Sequence, residues 1–162
     1  MALTIAFWIL AVVMILAALG VVLLRNVFRA ALSLILCFLM VAGLYITLSA
    51  DFLAAVQILI YVGAISVLII LAIMMTREVQ RGSPPNRLQL PAFVVALLFL
   101  EVLVLTLINT PWQIASTPPL APTTAAIATI LFGEGGFILP VEIAAVLLLS
   151  AIIGAIVLAR EK

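Results

Sequence analysis

Residues Asp51 to Arg77 read DFLAAVQILIYVGAISVLIILAIMMTR, and this stretch decides the fold. From Phe52 to Thr76 it holds twenty-five residues without a charge. An α-helix rises about 1.5 Å per residue and the hydrocarbon layer of a bilayer is roughly 30 Å thick, so the stretch is longer than a simple crossing needs. It therefore predicts a membrane-spanning helix that is tilted or locally distorted.

Three residues in the middle of this helix are unusual for a helix that faces lipid. Gln57 and Tyr61 are four residues apart and share one face, and Gly63 follows near the bilayer centre. One interpretation is a close helix contact at Gly63, with Gln57 and Tyr61 bonding across it. The other is that Gly63 and Ala64 let the backbone switch between an α-helix and a π-bulge, a defect found mostly at functional sites. Periodicity favours neither interpretation.

The composition places the rest of the chain in the membrane as well. Hydrophobic residues make up 69% of the 162 residues and charged residues 8%. A water-soluble domain needs more polar surface than this, so the bilayer is the expected solvent. One cysteine, Cys37, and no histidine exclude an intrachain disulfide, a Cys/His metal cluster and a histidine relay.

The hydrophobic runs predict an all-α integral membrane protein with five transmembrane helices in a single domain, residues 1–162. We interpret the first run as a helix and not as a cleaved signal, because basic residues follow it, at Arg25 and Arg29, and none precedes it. Asp51 or Ser49 is expected to cap the start of the third helix. The predicted spans are about 3–24, 30–48, 52–76, 91–109 and 138–159, with a short interfacial helix at about 123–132.

The basic residues predict the orientation of these helices. With five spans, all seven basic residues fall on one side of the membrane, and the N-terminus and the other two loops hold none. By the positive-inside rule that side is cytoplasmic, so the C-terminus is cytoplasmic and the N-terminus is outside. The seven residues are Arg25, Arg29, Arg77, Arg81, Arg87, Arg160 and Lys162.

The predicted spans contain two glutamates and no Asp, Lys, Arg or His. Glu101 lies at the midpoint of the fourth span, where an ionised carboxylate costs on the order of 3 kcal/mol, and Glu142 lies near the outer end of the fifth. Glu101 is expected either to transfer protons or to bond to a partner helix. Because the two groups lie at different depths, the chain is not expected to pump protons alone. No catalytic, cofactor-binding or metal-ligating residue is predicted, since phosphate-loop, nucleotide and nucleophile motifs are missing.

Two segments carry a resemblance to a known family. The segment QILIYVGAI at 57–65 resembles the third helix of the subunit J (chain 6) family of proton-pumping NADH:quinone oxidoreductases, respiratory complex I, and FILPVEIAAVLLL at 137–149 resembles its last helix. TPWQ at 110–113 and LARE at 158–161 resemble the photosynthetic branch, whose relatives take electrons from ferredoxin and reduce plastoquinone. The sequence ends soon after its last helix, so we expect it to lack the longer C-terminal tail of such relatives.

The resemblance implies a non-catalytic membrane subunit of a translocase, in which a bulge in the third helix opens and closes a water path. On this basis Tyr61, Gly63 and Ala64 are expected to form the hinge and Gln57 to line the path. Val62 stands where many relatives have Ala, and a β-branched residue there is expected to restrict bulging. The match also includes Glu142 but gives no motif for Glu101.

The resemblance further implies where this subunit works and what surrounds it. Its expected partners are the lipid bilayer and subunits resembling A, K, H and the antiporter-like N, with no nucleic acid. No cofactor is expected in this chain; FMN, if the complex is NADH-linked, iron–sulfur clusters and quinone are expected in other subunits. The expected location is the bacterial inner membrane, or a thylakoid membrane for the photosynthetic type.

Other classes of function stay open on the sequence. The first is a subunit of a related multisubunit cation/proton antiporter or a membrane-bound hydrogenase. The second is a self-contained transporter or channel, against which the absence of an internal repeat and of a charged pathway speaks. A purely structural scaffold is the third.

Overall fold

A computed structural model describes residues 1–76, 88–112 and 122–160. Every regular element in this part of the chain is a helix, and five helices are long and apolar enough to cross a membrane. This confirms the predicted all-α membrane architecture. The first to fifth helices are Ala2–Leu23, Val27–Thr47, Asp51–Met75, Gln89–Asn109 and Leu139–Ala159, and the short helix is Thr123–Phe132.

The second helix begins earlier than the sequence pattern predicts. Its first residue is Val27, whereas the hydrophobic run predicted a start at about Ala30. The reason is a side-chain cap, since Asn26 Oδ1 accepts hydrogen bonds from the backbone N–H of Phe28 at 3.0 Å and of Arg29 at 3.2 Å. The cap satisfies two of the N–H groups that a helix start leaves without partners.

Small residues bring the first and second helices close together. Ala17 is buried at 5% exposure, and its carbonyl accepts a hydrogen bond from the Ser33 hydroxyl at 2.8 Å. A Cβ on Gly20 would collide with that same hydroxyl, and a Cβ on Gly43 would lie 3.1 Å from the Leu10 side chain. In a bilayer, such close backbone approach and interhelical bonding replace the hydrophobic drive between helices.

The second helix also packs against the third. Ala42 and Ala54 are buried at 1% and 4% exposure, the lowest values among the alanines of these two helices. A tight turn joins the helices, with Ser49 in the left-handed region at φ 58° and the Ala50 N–H donating to the Tyr45 carbonyl at 2.9 Å. The third helix is therefore held along one side by the second.

The fourth and fifth helices behave differently from the first three. Neither buries a residue against the described part of the chain. Their large apolar side chains are open on all sides, including Phe99 at 67% and Leu147 at 64% exposure. Inside a membrane these surfaces must meet lipid or the helices of other chains. That the chain folds as a single membrane domain stays a prediction.

Candidate functional site

A π-helix interrupts the third helix in the middle of its span. The nine residues Gln57–Ile65 have π-helical hydrogen bonding, between α-helical Asp51–Val56 and Ser66–Met75. At its end the Ser66 N–H reaches the Tyr61 carbonyl five residues back, where a regular α-helix bonds to the fourth. The π-helix occupies the place where the family resemblance implied a bulge. Such elements are rare and occur frequently at functional sites.

Gly63 is exposed within this chain and does not form a close helix contact there. The one heavy atom near a Cβ built on Gly63, outside its neighbours and nearby helix backbone, is the Ile58 carbonyl oxygen at 3.4 Å. Its φ is not positive, so the backbone does not require glycine for that reason. Ala64 beside it is exposed as well. Of the two interpretations from sequence, the contact of Gly63 with another helix is therefore not found among the described residues.

Gln57 and Tyr61 both contact Phe38 of the second helix. The Gln57 side chain is buried at 8% exposure, and its Nε2 donates to the Phe38 carbonyl at 3.4 Å. The Tyr61 ring lies edge-on to the Phe38 ring, with centroids 5.4 Å apart. The structure thus brings together the two polar residues that the sequence singled out. It also adds Phe38 to the site. The sequence did not single out this residue, because an aromatic residue in an apolar helix is not unusual.

Ser66 is a second residue that the sequence analysis missed. It is buried at 2% exposure, and its hydroxyl donates to the Tyr61 carbonyl at 2.7 Å. That carbonyl therefore accepts from both the hydroxyl and the N–H of Ser66. A hydroxyl that bonds to a carbonyl five residues back matches π-helical geometry. The five-residue spacing between Tyr61 and Ser66 was therefore the sequence feature that could have identified Ser66.

A groove lies beside the first turn of the π-helix, between the second and third helices. Its volume is about 200 Å³, enough for a few water molecules at roughly 30 Å³ each. Phenol and amide groups offer hydrogen bonds among its apolar walls. The residues lining it are Tyr45, Phe52, Leu53, Val56, Gln57 and Tyr61.

Asp51 does not cap its own helix, contrary to the expectation from sequence. Ala50 holds the cap position of the third helix and its own side chain makes no cap bond, and Asp51 is the first helical residue. The Asp51 carboxylate instead caps the short helix. It accepts from the Thr123 N–H at 2.9 Å and from the Thr124 hydroxyl at 2.7 Å.

The two membrane carboxylic acids lie away from this arrangement. Glu101 is exposed on the fourth helix and Glu142 is exposed in the first turn of the fifth. Neither carboxyl group forms a hydrogen bond or ion pair with a described residue. A bond from Glu101 to another helix of this chain is thus not found in the described part. The structure does not join either acid to Gln57 and Tyr61.

The helices and the π-helical site define a multi-pass membrane protein whose distinctive feature is a backbone irregularity. Comparison with protein families agrees with the assignment as a multi-pass membrane protein. The family model for NADH-ubiquinone/plastoquinone oxidoreductase chain 6 matches residues 17–158. The chain belongs to this family, as the two sequence segments predicted, and is a membrane subunit of the complex I-type quinone oxidoreductase family.

Curated relatives match over nearly the whole chain. NAD(P)H-quinone oxidoreductase chain 6 of Synechocystis is 46% identical over 97% of this chain and 80% of the relative. The protein of the same name from Leptolyngbya boryana is 42% identical over 98% and 80%. F(420)H(2) dehydrogenase subunit J of Methanosarcina mazei is 40% identical over 98% and 92%.

Proposed function

We propose that this chain is a membrane-arm subunit of a proton-translocating quinone oxidoreductase, and that its third helix couples quinone reduction to proton translocation. Several relatives are named as subunits of quinone oxidoreductases, and the family match covers most of the chain. In this proposal the chain supplies no catalytic group for electron transfer. FMN in an NADH-linked complex, the iron–sulfur clusters and the quinone site belong to other subunits.

The observation that carries the proposal is the π-helical bonding from Gln57 to Ile65 within a membrane span. A π-bulge holds one residue more than the same length of α-helix. Its loss turns one side of the helix relative to the other by about 100°, one residue's share of a 3.6-residue turn. Such a turn moves Tyr61 past the Phe38 ring and reshapes the groove beside Gln57. The groove would gain or lose water and so open or close a proton path.

The named residues have distinct roles in this proposal. Gly63 and Ala64 form the hinge, because their small side chains leave room for both backbone geometries. Gln57 and Tyr61 offer polar groups to water in the groove. Val62 restricts the motion, since a β-branched side chain has fewer rotamers within a helix.

A matched pair of glycine substitutions tests the hinge in the assembled complex. Gly63→Val adds γ carbons to a site where a Cβ already lies 3.4 Å from a carbonyl oxygen, and Gly154→Val makes the same change where nothing lies within 4 Å. We expect Gly63→Val to assemble but to lose turnover or protons translocated per electron, and Gly154→Val, which lies away from the hinge on the helix that a neighbouring subunit covers, to keep the normal number of protons per electron in whatever complex assembles. Normal coupled turnover in Gly63→Val would overturn the hinge.

The proposed membrane, orientation and neighbouring subunits are as follows. The chain lies in the bacterial inner membrane, or in a thylakoid membrane, which relatives from cyanobacteria and chloroplasts favour. Its N-terminus is outside and its C-terminus cytoplasmic, by the distribution of basic residues. Neighbouring subunits resembling A, K, H and the antiporter-like N cover the fourth and fifth helices, which bury nothing within the described chain.

The electron donor follows from the subunits that accompany the chain. The names of its relatives specify NAD(P)H in some cases and F(420)H(2) in another. Purification in mild detergent with mass spectrometry of the bound subunits identifies the donor, since an FMN-bearing subunit marks NADH and its replacement marks ferredoxin or F(420)H(2). Recovery of antiporter subunits without any iron–sulfur protein would overturn the redox assignment.

A further inference from the structure

The third helix and the short helix cap each other across a long stretch of chain. Asp51 Oδ1 accepts from the N–H and the hydroxyl of Thr123, and Oδ2 accepts from the hydroxyl and the N–H of Thr124. In return Thr123 Oγ1 accepts from the Phe52 N–H at 3.4 Å. Helix starts leave N–H groups without intrahelical partners, so each helix here satisfies part of the other's need. Asp51 also places a carboxylate at the positive end of the short helix.

Further contacts hold the same end of the third helix. Ala54, within Asp51–Val56, is buried against the rest of the chain at 4% exposure. The Gln57 amide, at the first residue of the π-helix, donates to the Phe38 carbonyl. The outer six residues of the third helix are thus tied both to the short helix and to the second helix.

The other end of the third helix has fewer ties. Among Ser66–Met75 only Ser66 is buried, and its hydroxyl bonds within its own helix. The Thr76 hydroxyl likewise bonds to Ala72, one turn back in the same helix. Leu68, Leu71 and Met74 are exposed by 63%, 54% and 71%. No side-chain hydrogen bond joins this end to another described helix.

We propose that Asp51 is a positioning residue for coupling: by capping the short helix it holds Asp51–Val56 still, so that a change in Gln57–Ile65 acts on Ser66–Met75. This inference rests on the proposed hinge. When one segment changes its number of residues per turn, the two flanking pieces must rotate relative to each other, and the less restrained piece moves more. Without the Asp51 cap, Asp51–Val56 also rotates, so that Ser66–Met75 rotates less.

Four variants and one control in the intact complex test the inference by assembly, quinone reduction and protons translocated per electron. Asp51→Ala removes all four acceptor contacts, and Asp51→Asn keeps one carbonyl oxygen. Thr124→Val removes one hydroxyl contact and Thr124→Ser retains it. Thr129→Val is the matched control, because the Thr129 hydroxyl bonds within the short helix to Ala125.

We expect Asp51→Ala to lower protons per electron, because the outer end is then held only by its contacts with the second helix and takes up part of the rotation. Asp51→Asn and Thr124→Val lower the ratio less, Thr124→Ser restores it, and Thr129→Val leaves it unchanged. If Asp51→Ala fails to assemble, Asp51→Asn and Thr124→Val decide the question. If Asp51→Asn and Thr124→Val both keep the normal number of protons per electron while Gly63→Val is impaired, the role of Asp51 is overturned and the hinge stands. If Gly63→Val also keeps the normal number, the hinge itself is overturned.

Discussion

Phe38 of the second helix and Tyr61 of the π-helix form an edge-to-face aromatic pair, with ring centroids 5.4 Å apart and planes at 69°. The pair holds one turn of the π-helix against the second helix, which is a regular α-helix. Edge-to-face pairs contribute about 0.5–1.5 kcal/mol beyond the area that they bury. The contact therefore favours whichever backbone geometry places Tyr61 here, which in this structure is the π-helix.

Phe38→Leu tests this pair directly. Leucine keeps an apolar side chain but removes the ring, so a loss of about 1 kcal/mol is expected to shift the balance between π and α geometry roughly fivefold. Electron cryomicroscopy of the assembled complex measures the share of particles with a π-helix. Phe28→Leu, on an exposed ring in the first turn of the second helix, is the control. An equal share of π-helix in both variants would contradict the role given to Phe38.

Ser66→Ala removes the hydroxyl that bonds to the Tyr61 carbonyl while leaving the backbone bond. A hydrogen bond of this kind contributes about 1 kcal/mol, so the π-helix is expected to lose stability relative to the α form. Ser150→Ala in the fifth helix, an exposed serine, serves as control. Turnover measured against temperature reports the effect, and identical profiles for the two variants would show that the hydroxyl does not stabilise the site.

Gly20→Ala tests the packing of the first two helices. The new Cβ would displace the Ser33 hydroxyl and break its bond to the Ala17 carbonyl, at a cost of about 1 kcal/mol. Ser33→Ala removes the displaced group, so the double variant is expected to cost less than the sum of the two single changes. Thermal stability of the purified complex measures all three. Strict additivity would mean that Gly20 and Ser33 do not interact.

Glu101→Gln is expected to leave proton-coupled quinone reduction nearly unchanged. Glu101 has no polar partner among the described residues, and an ionised carboxylate at mid-membrane costs on the order of 3 kcal/mol, whereas the amide of glutamine keeps a polar end of the same size without that cost. Glu101→Leu, which also removes the polar end, separates loss of a proton from loss of a hydrogen bond to a neighbouring subunit. A severe fall in proton translocation in Glu101→Gln would make it a relay member.

Local patterns in the sequence predicted much of this architecture. Long hydrophobic runs with at most one charged residue each predicted the five spanning helices, because burial in lipid demands them whatever the tertiary contacts. Gly63 next to a polar pair left a close helix contact and an irregular backbone both open, and only the family resemblance implied the bulge. Asn26 was overlooked as a cap, although an Asn just before a helical run is a recognisable start signal. Its omission moved the predicted start of the second helix by three residues.

Other features depend on contacts between distant residues. Asp51 was expected to cap the helix it begins, and its true partners lie 72 and 73 residues further along the chain. Phe38 became part of the site only through its position opposite Tyr61. The fourth and fifth helices have apolar residues on every side, so their sequences do not specify which face meets another chain.

The most direct test of the account compares structures of the assembled complex at rest and during turnover with quinone. A moving hinge predicts two populations of the third helix: one with the π-helix at Gln57–Ile65 and one with regular α-helix there, with Ser66–Met75 turned and the water content of the adjoining groove changed. The same π-helix and the same groove in every catalytic state would contradict it.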